Sequence, residues 1–354
     1  DDECGRAAII ENGSPLFSGG TSSGESQIRR WLLENDYIEA IIQLSTDMFY
    51  NTGIATYIWV LSKNKRAERK GKIQLIDASS FAHSLRKTLG NKRKEITPED
   101  RIKITKLYAD FKENEHCQIY DNTEFIYREY AVMQPLQRNY AITEDRINAM
   151  LASGALSTLY DEAKVDELEN MDELTGKDKN KLDNFKKNKP IYDAIVDALN
   201  SAVSDKIYKN PETFTPVVNN ILSGIILDAK DLKKIADKII KGLSVMDKTA
   251  DIQRDKKGNV IYDTETKDTE IVPWETNIDD YMASEVLPHV PDAKAFFEED
   301  LGKKNPVIKT GAEIPFTRYF YKYQAPVSSD ELAKRFNELE ASVDSKIKKL
   351  FGGD

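Results

Sequence analysis

Few stretches of this 354-residue chain carry side chains whose type and spacing could do chemistry. The first is Asp47 to Gly53, DMFYNTG. Phe49 and Tyr50 stand side by side, followed by Asn51, Thr52 and Gly53, which favour a turn. On either side lie two runs of β-formers, Tyr37 to Leu44 (YIEAIIQL) and Ala55 to Leu61 (ATYIWVL), so the aromatics fall in a loop at the end of two strands. Ligands of α/β folds sit at such ends, and an aromatic face there can stack on a planar group. Packing against the hairpin is the other reading of the same residues.

A second stretch fails on inspection. Gly19 to Ser26 (GGTSSGES) is close to a phosphate-binding glycine loop, but Glu25 stands where the cation should be. An entrance loop is the better reading. The three histidines (His83, His116, His289) and two cysteines (Cys4, Cys117) are scattered and hold no metal-ligand spacing, so neither a metal site nor a disulfide framework is expected. Two basic clusters remain. Lys63, Lys65, Arg66, Arg69, Lys70 and Lys72 precede a strand at Ile73 to Asp77; Arg86, Lys87, Lys92, Arg93 and Lys94 follow it in a glycine-containing segment read as mobile. They are either solvated charge or ligands for phosphate.

The elements that must position these residues can be read in order. Arg6 to Ile10 is a short buried strand. A helix follows from Gly24 to Asp36, with Ile28, Trp31 and Leu32 as its apolar face and Ser22 and Glu25 at capping-box spacing. Thr97 caps a helix running to Asn114, and Cys117 to Tyr130 is extended. Thr143 to Leu243 is mostly helical. Within it, Asp166 to Pro190 is an exposed helix pair or a linker, a helix runs from Pro190 to Ser204, and Ile235, Ile239 and Ile240 form one helix face. Asp251 to Val272 is a hairpin turning at Lys257-Gly258-Asn259, Ile278 to Val286 a helix, and Glu313 to Pro326 an extended aromatic run. Ser328 to Phe351 closes the chain as a helix. Its stripe of Leu332, Phe336, Leu339, Val343, Ile347 and Leu350 is as narrow as a coiled-coil seam. The fold class is α/β, then mainly α, in three parts: 1–95, 96–326 and 327–354.

The net charge of −9 argues against a protein that coats nucleic acid unaided, and no run approaches the ~20 apolar residues of a membrane span. A cytoplasmic location is the default for so few cysteines. The chain opens on Asp1 and enters a strand almost at once, as if entered midway through a domain.

GRAAIIENGSPLF (Gly5 to Phe17), IRRWLLENDYIEAIIQL (Ile28 to Leu44) and MFYNTGIATYIWVLSKNK (Met48 to Lys65) together resemble the modification (M) subunit of type I restriction-modification systems, an N6-adenine DNA methyltransferase. Phe125 to Arg138, EVLPHVPDA (Glu285 to Ala293) and EIPFTRYFYKYQAP (Glu313 to Pro326) continue the resemblance. It implies the second half of a Rossmann-like methyltransferase domain dependent on S-adenosyl-L-methionine, followed by a helical C-terminal domain with a small hairpin. It also implies that Phe49, with Tyr50 as alternative and Asn51, Thr52 and Gly53 beside them, stacks on an adenine flipped out of duplex DNA. The two basic clusters would then touch phosphates beside that base. The implied partners are double-stranded DNA, a specificity subunit docked on the terminal helix, a second M subunit and a restriction subunit. The sequence holds no Pro-Pro pair and no F-x-G-x-G loop, where the family carries its catalytic and donor-binding motifs. The expectation is a C-terminal portion of such a subunit, with no catalytic residue of its own and no activity in isolation. The alternative is a non-catalytic module joining a methyltransferase core to a DNA-reading partner.

Overall fold

The computed structural model describes residues 4–171, 173–225, 229–323 and 325–351. In chain order the elements are β1 (Arg6–Asn12), α1 (Ser14–Phe17), α2 (Gly24–Glu34), β2 (Ile38–Gln43), β3 (Thr56–Ser62), β4 (Lys72–Asp77), β5 (His83–Leu89), β6 (Lys92–Glu95), α3 (Pro98–Asp110), β7 (Cys117–Asp121), β8 (Ile126–Pro135) and β9 (Arg138–Tyr140). They continue with α4 (Glu144–Ala152), α5 (Glu162–Glu169), α6 (Gly176–Ser201), α7 (Pro211–Leu222), α8 (Ala229–Gly242), β10 (Ser244–Met246), β11 (Tyr262–Pro273), α9 (Ile278–Tyr281), β12 (Lys294–Phe296), β13 (Thr310–Ala312), α10 (Phe316–Phe320) and α11 (Ser329–Phe351). The chain divides into two compact units. One comprises 1–128, 273–275 and 299–354; the other comprises 129–272 and 276–298.

The first unit is built on a five-stranded sheet in the order β1-β3-β2-β4-β7. β3 is antiparallel to both β1 and β2, β2 is parallel to β4, and β7 is antiparallel to β4. β2 and β4 are buried along nearly their whole length, as strands covered on both faces are, and the polar Glu39 and Gln74 within them are buried with partners: Glu39 meets Arg6 and Gln74 accepts from Arg69. One face packs Leu16, Leu33, Ile41, Trp59 and Leu75 with Phe125 and Phe316; the other packs Ile42, Ile76 and Cys117 against Ile104 of α3. Burial pushes the Cys117 thiol pKa up, which keeps it protonated and inert.

Several expectations change here. β1 is exposed along its whole length, because it is the sheet's edge and only β3 pairs with it. The helix face is turned by one residue. α2 buries Ser26, Arg29 and Leu33 and leaves Ile28 and Trp31 outside, because Arg29 donates to the carbonyls of Ala312, Pro15 and Ser18 and fixes the rotation. Its cap is Ser23, not Ser22. α3 starts at the expected Thr97 cap, closed by Asp100 into a capping box, but stops at Asp110, where Phe111 turns left-handed. Glu313 to Pro326 is not extended throughout: Phe316 and Phe320, one helical turn apart, stack at 5.1 Å in α10, and Phe316 meets Tyr57. Tyr321 and Tyr323 lie beyond it, exposed; Gln324 is outside the described residues.

In the second unit α4, α6, α7 and α8 surround Ile147, Ile195, Leu199, Phe214, Val218 and Ile239. The charged stretch after Asp166 is the α5–α6 helix pair, closed over Leu168, Leu182 and Phe185. α6 runs unbroken through Pro190, which stands on the exposed side where water can take the carbonyl it frees. The expected hairpin is a single Arg254–Val260 bridge around Gly258 (φ +85°), followed by the twelve-residue strand β11.

Candidate base pocket and nucleic-acid interface

β2 and β3 are joined by the aromatic loop. Leu44 N–H donates to the Thr56 carbonyl at 2.8 Å, Asp47 N–H to the Gly53 carbonyl at 3.4 Å, and Phe49 pairs with Thr52 in an isolated bridge. Asp47 takes φ +61°, a left-handed turn that aspartate tolerates better than most residues. Phe49 is half-buried and belongs to none of the buried apolar clusters among the described residues. Tyr50 is 64% exposed. The loop therefore presents two aromatics that the core does not consume.

The second basic cluster is not a mobile segment. It forms the hairpin β5–β6, docked on the aromatic loop through the backbone. Asn91 N–H donates to the Tyr50 carbonyl at 3.0 Å, and Arg93 and Lys94 N–H both donate to the Asp47 carbonyl at 2.9 and 3.1 Å. Lys94 Nζ reaches Ser45 Oγ at 2.9 Å, and Lys92 Nζ lies 5.6 Å from the centre of the Tyr50 ring. The left-handed turn at Asp47 thus places one carbonyl where it anchors a strand. At the hairpin's base, His83 Nε2 meets Asp100 Oδ2 at 2.9 Å. The Thr97 hydroxyl, and then Lys103, hold that carboxyl down at about 2. Arg86, Lys87 and Arg93 remain exposed.

The first basic cluster goes elsewhere. It follows the far end of β3, seven residues or roughly 20 Å from the loop. Lys65 is buried, with Nζ on Asp36 Oδ1 at 2.5 Å and on the Lys72 carbonyl at 2.6 Å; desolvation lowers its pKa despite the Asp36 carboxylate. Arg69 is buried between the Tyr108 and Phe111 rings, 4.5 and 4.3 Å from their centres, with Gln74 accepting from it at 2.9 Å. These two side chains are structural and cannot meet a phosphate. Lys63, Arg66 and Lys70 are exposed but sit at the wrong end of the strand to flank Phe49. What the sequence alone did not point to were the anchors, Asp47, Gly90 and Ser45. The only signal for them was the Asp and Gly preference of left-handed turns.

Every stripe residue of α11 is exposed, from Val343 at 46% to Leu350 at 77%, and no residue of the helix is buried. Ser328 caps it, its Oγ accepting from Glu331 N–H. Among the described residues no group could hold a metal ion, and no helix is long and apolar enough to cross a membrane.

A methyl donor would need a polar cradle. The cleft between α2 and β1 has a volume of about 240 Å³ and is lined mainly by Ile9, Ile28, Leu32, Trp59 and Leu61, with Glu11 and Glu25 at its edge. That is small and apolar beside the roughly 300–1,000 Å³ of ordinary ligand sites. These residues do not fit S-adenosyl-L-methionine.

Residues 2–145, under half the chain but including the loop and the hairpin, match the sequence model of the N-6 DNA Methylase family. The resemblance read from the sequence extends to named relatives. The chain is similar to the type I restriction enzyme MjaVIII methylase subunit of Methanocaldococcus jannaschii, 34% identical over 126 residues that cover 35% of this chain and 21% of the relative. It is also similar to the MjaVII methylase subunit of the same organism, 43% identical over 74 residues (21% of this chain, 12% of the relative). The HindI methylase subunit of Haemophilus influenzae is 31% identical over 98 residues (28% and 20%). The chain therefore spans about a fifth or less of the length of these relatives. Among solved structures, the type I restriction-modification methyltransferase subunit from Streptococcus thermophilus is 27% identical, covers 34% of this chain and 24% of its own, and superposes with a TM-score of 0.29, too low to carry detail of the fold.

Proposed function

We propose that this chain is part of a type I modification subunit that transfers a methyl group from S-adenosyl-L-methionine to the N6 amino group of adenine in duplex DNA. The carrying observation is the pairing of an aromatic loop unused by the core with a cationic hairpin anchored on it by three backbone hydrogen bonds. A base leaving its stack loses a few kcal/mol, and an aromatic face returns roughly 1–3 kcal/mol whichever base it is. Phe49 is the stacking face, Tyr50 its neighbour, and the β5–β6 cations neutralise the phosphates that flank the extruded nucleotide.

The sheet supports a half-domain reading. A strand antiparallel to both neighbours (β3) lies between β1 and β2, and the outer edge of β1 is free to accept a further strand among the described residues. The donor-binding and amino-gripping residues then belong to the rest of the subunit, consistent with the apolar cleft beside β1. The partners are duplex DNA, a specificity subunit on the α11 stripe, a second copy of the modification subunit and a restriction subunit. The test is transfer of labelled methyl from S-adenosyl-L-methionine to duplex DNA by the full-length assembled enzyme, with the product identified by mass spectrometry. N6-methyladenine is expected. Label on cytosine, or on protein alone, would overturn the reading.

A further inference from the structure

We propose that the tip of the β5–β6 hairpin, Leu89–Gly90–Asn91, is a wedge that enters the base stack and fills the gap left by the extruded adenine. The inference rests on the functional reading above and goes beyond it. Leu89 is 48% exposed and belongs to no apolar cluster among the described residues, so the fold has no use for it. It is the last residue of β5, next to the two-residue turn Gly90–Asn91, and is paired across the strands with Lys92. Arg86, Lys87, Lys92, Arg93 and Lys94 flank it, against one carboxylate, Glu95, in a chain whose net charge is −9. An apolar side chain ringed by cations has little affinity for an ordinary protein surface. It suits a duplex, where cations meet phosphate and the apolar group meets a base face. Proteins that unstack DNA steps do so with leucine and similar wedges.

Position adds a second line of support. Asn91 N–H bonds the Tyr50 carbonyl, so the tip and the aromatic pocket are one unit. Gly90 takes φ +61°, and a Cβ there would stand 2.9 Å from the Tyr50 carbonyl oxygen. Only glycine lets the tip lie this close, which fixes the wedge beside the pocket that receives the base. A wedge stabilises the extruded state by covering the orphaned partner base and its stacked neighbours. Without it the gap collapses and the adenine returns.

The experiment uses the full-length assembled enzyme and its recognition duplex with 2-aminopurine, which fluoresces when unstacked, in place of the target adenine. The wild type should give a large rise. Leu89→Ala should lower the extruded population by about tenfold, because alanine leaves most of the orphaned base face open to water. Leu89→Met should restore most of it, and both variants should melt like the wild type because the side chain is exposed. Opposite an abasic site the pair is already broken, so Leu89→Ala should match the wild type there. An unchanged rise for Leu89→Ala on the intact duplex, or equal loss on both duplexes, would overturn the wedge. No rise even for the wild type would instead overturn the methylase reading.

Discussion

Phe49→Ala separates stacking from packing. A phenylalanine sealed in a core costs about 3–5 kcal/mol when cut to alanine, because the cavity adds to the transfer energy forfeited. Phe125 and Phe214, at 2% and 0% exposure, are residues of that kind. Phe49 is half-buried and outside every buried cluster described, so its truncation should destabilise by about 1 kcal/mol or less. The stacking role has a different magnitude. Removal of an aromatic from beneath an extruded base costs about 1–3 kcal/mol, or roughly 5- to 150-fold in productive capture. In the full-length assembled enzyme, methyl transfer at subsaturating DNA should fall by that factor while the melting temperature moves by a few degrees at most. The deficit should shrink when the target adenine faces a mismatch, since a mispaired base is easier to extrude. Phe49→Tyr should retain most activity. Loss of the folded state, or equal deficits on matched and mismatched duplexes, would refute the reasoning.

Deletion of 328–354 should leave the melting temperature of the remaining chain nearly unchanged, because α11 buries nothing on it, and should abolish co-purification with a specificity subunit; unfolding would place the stripe in the protein's own core. Lys92→Gln with Arg93→Gln should cut the slope of log K against log salt by up to ~2, one phosphate each, whereas Arg69→Gln should lower the melting temperature without changing the slope. The Asp100 carboxyl, held at about 2 against an ordinary 3.8, contributes stability that is complete above pH 4 and is lost as pH falls toward 2. Asp100→Asn should therefore flatten the melting temperature across that acid window, and a wild-type curve of the same shape would remove the carboxyl from the account.

The sheet was legible because its strands are strong local signals. YIEAIIQL and ATYIWVL announce β2 and β3 by composition, and TPED announces the start of α3 by cap chemistry. The rotation of α2 was not legible: Ile28, Trp31 and Leu32 have proper helical spacing, but a buried arginine reaching three carbonyls outweighs them, two from the preceding turn (Pro15, Ser18) and one, Ala312, from far along the chain. Charge misled in the same way. Lys65 and Arg69 look like their exposed neighbours in sequence, and only Asp36, Tyr108 and Phe111, brought in by the fold, make them structural. Pro190 read as a helix start because a proline inside a helix is costly, yet on a solvent-facing side the cost is bearable. The aromatic loop itself was plain in the sequence. Its union with the second basic cluster was not, since backbone hydrogen bonds to Asp47 and Tyr50 leave no side-chain trace.

The most direct test of the central claim is a photo-cross-link. The full-length assembled enzyme is bound to its recognition duplex with 5-iodouracil in place of the target adenine, irradiated and digested, and the joined peptide is sequenced. If the loop receives the extruded base, the cross-link falls on Phe49 or Tyr50 and is lost in the double alanine variant. A cross-link at that position mapping outside 47–53, with binding intact, would contradict the account.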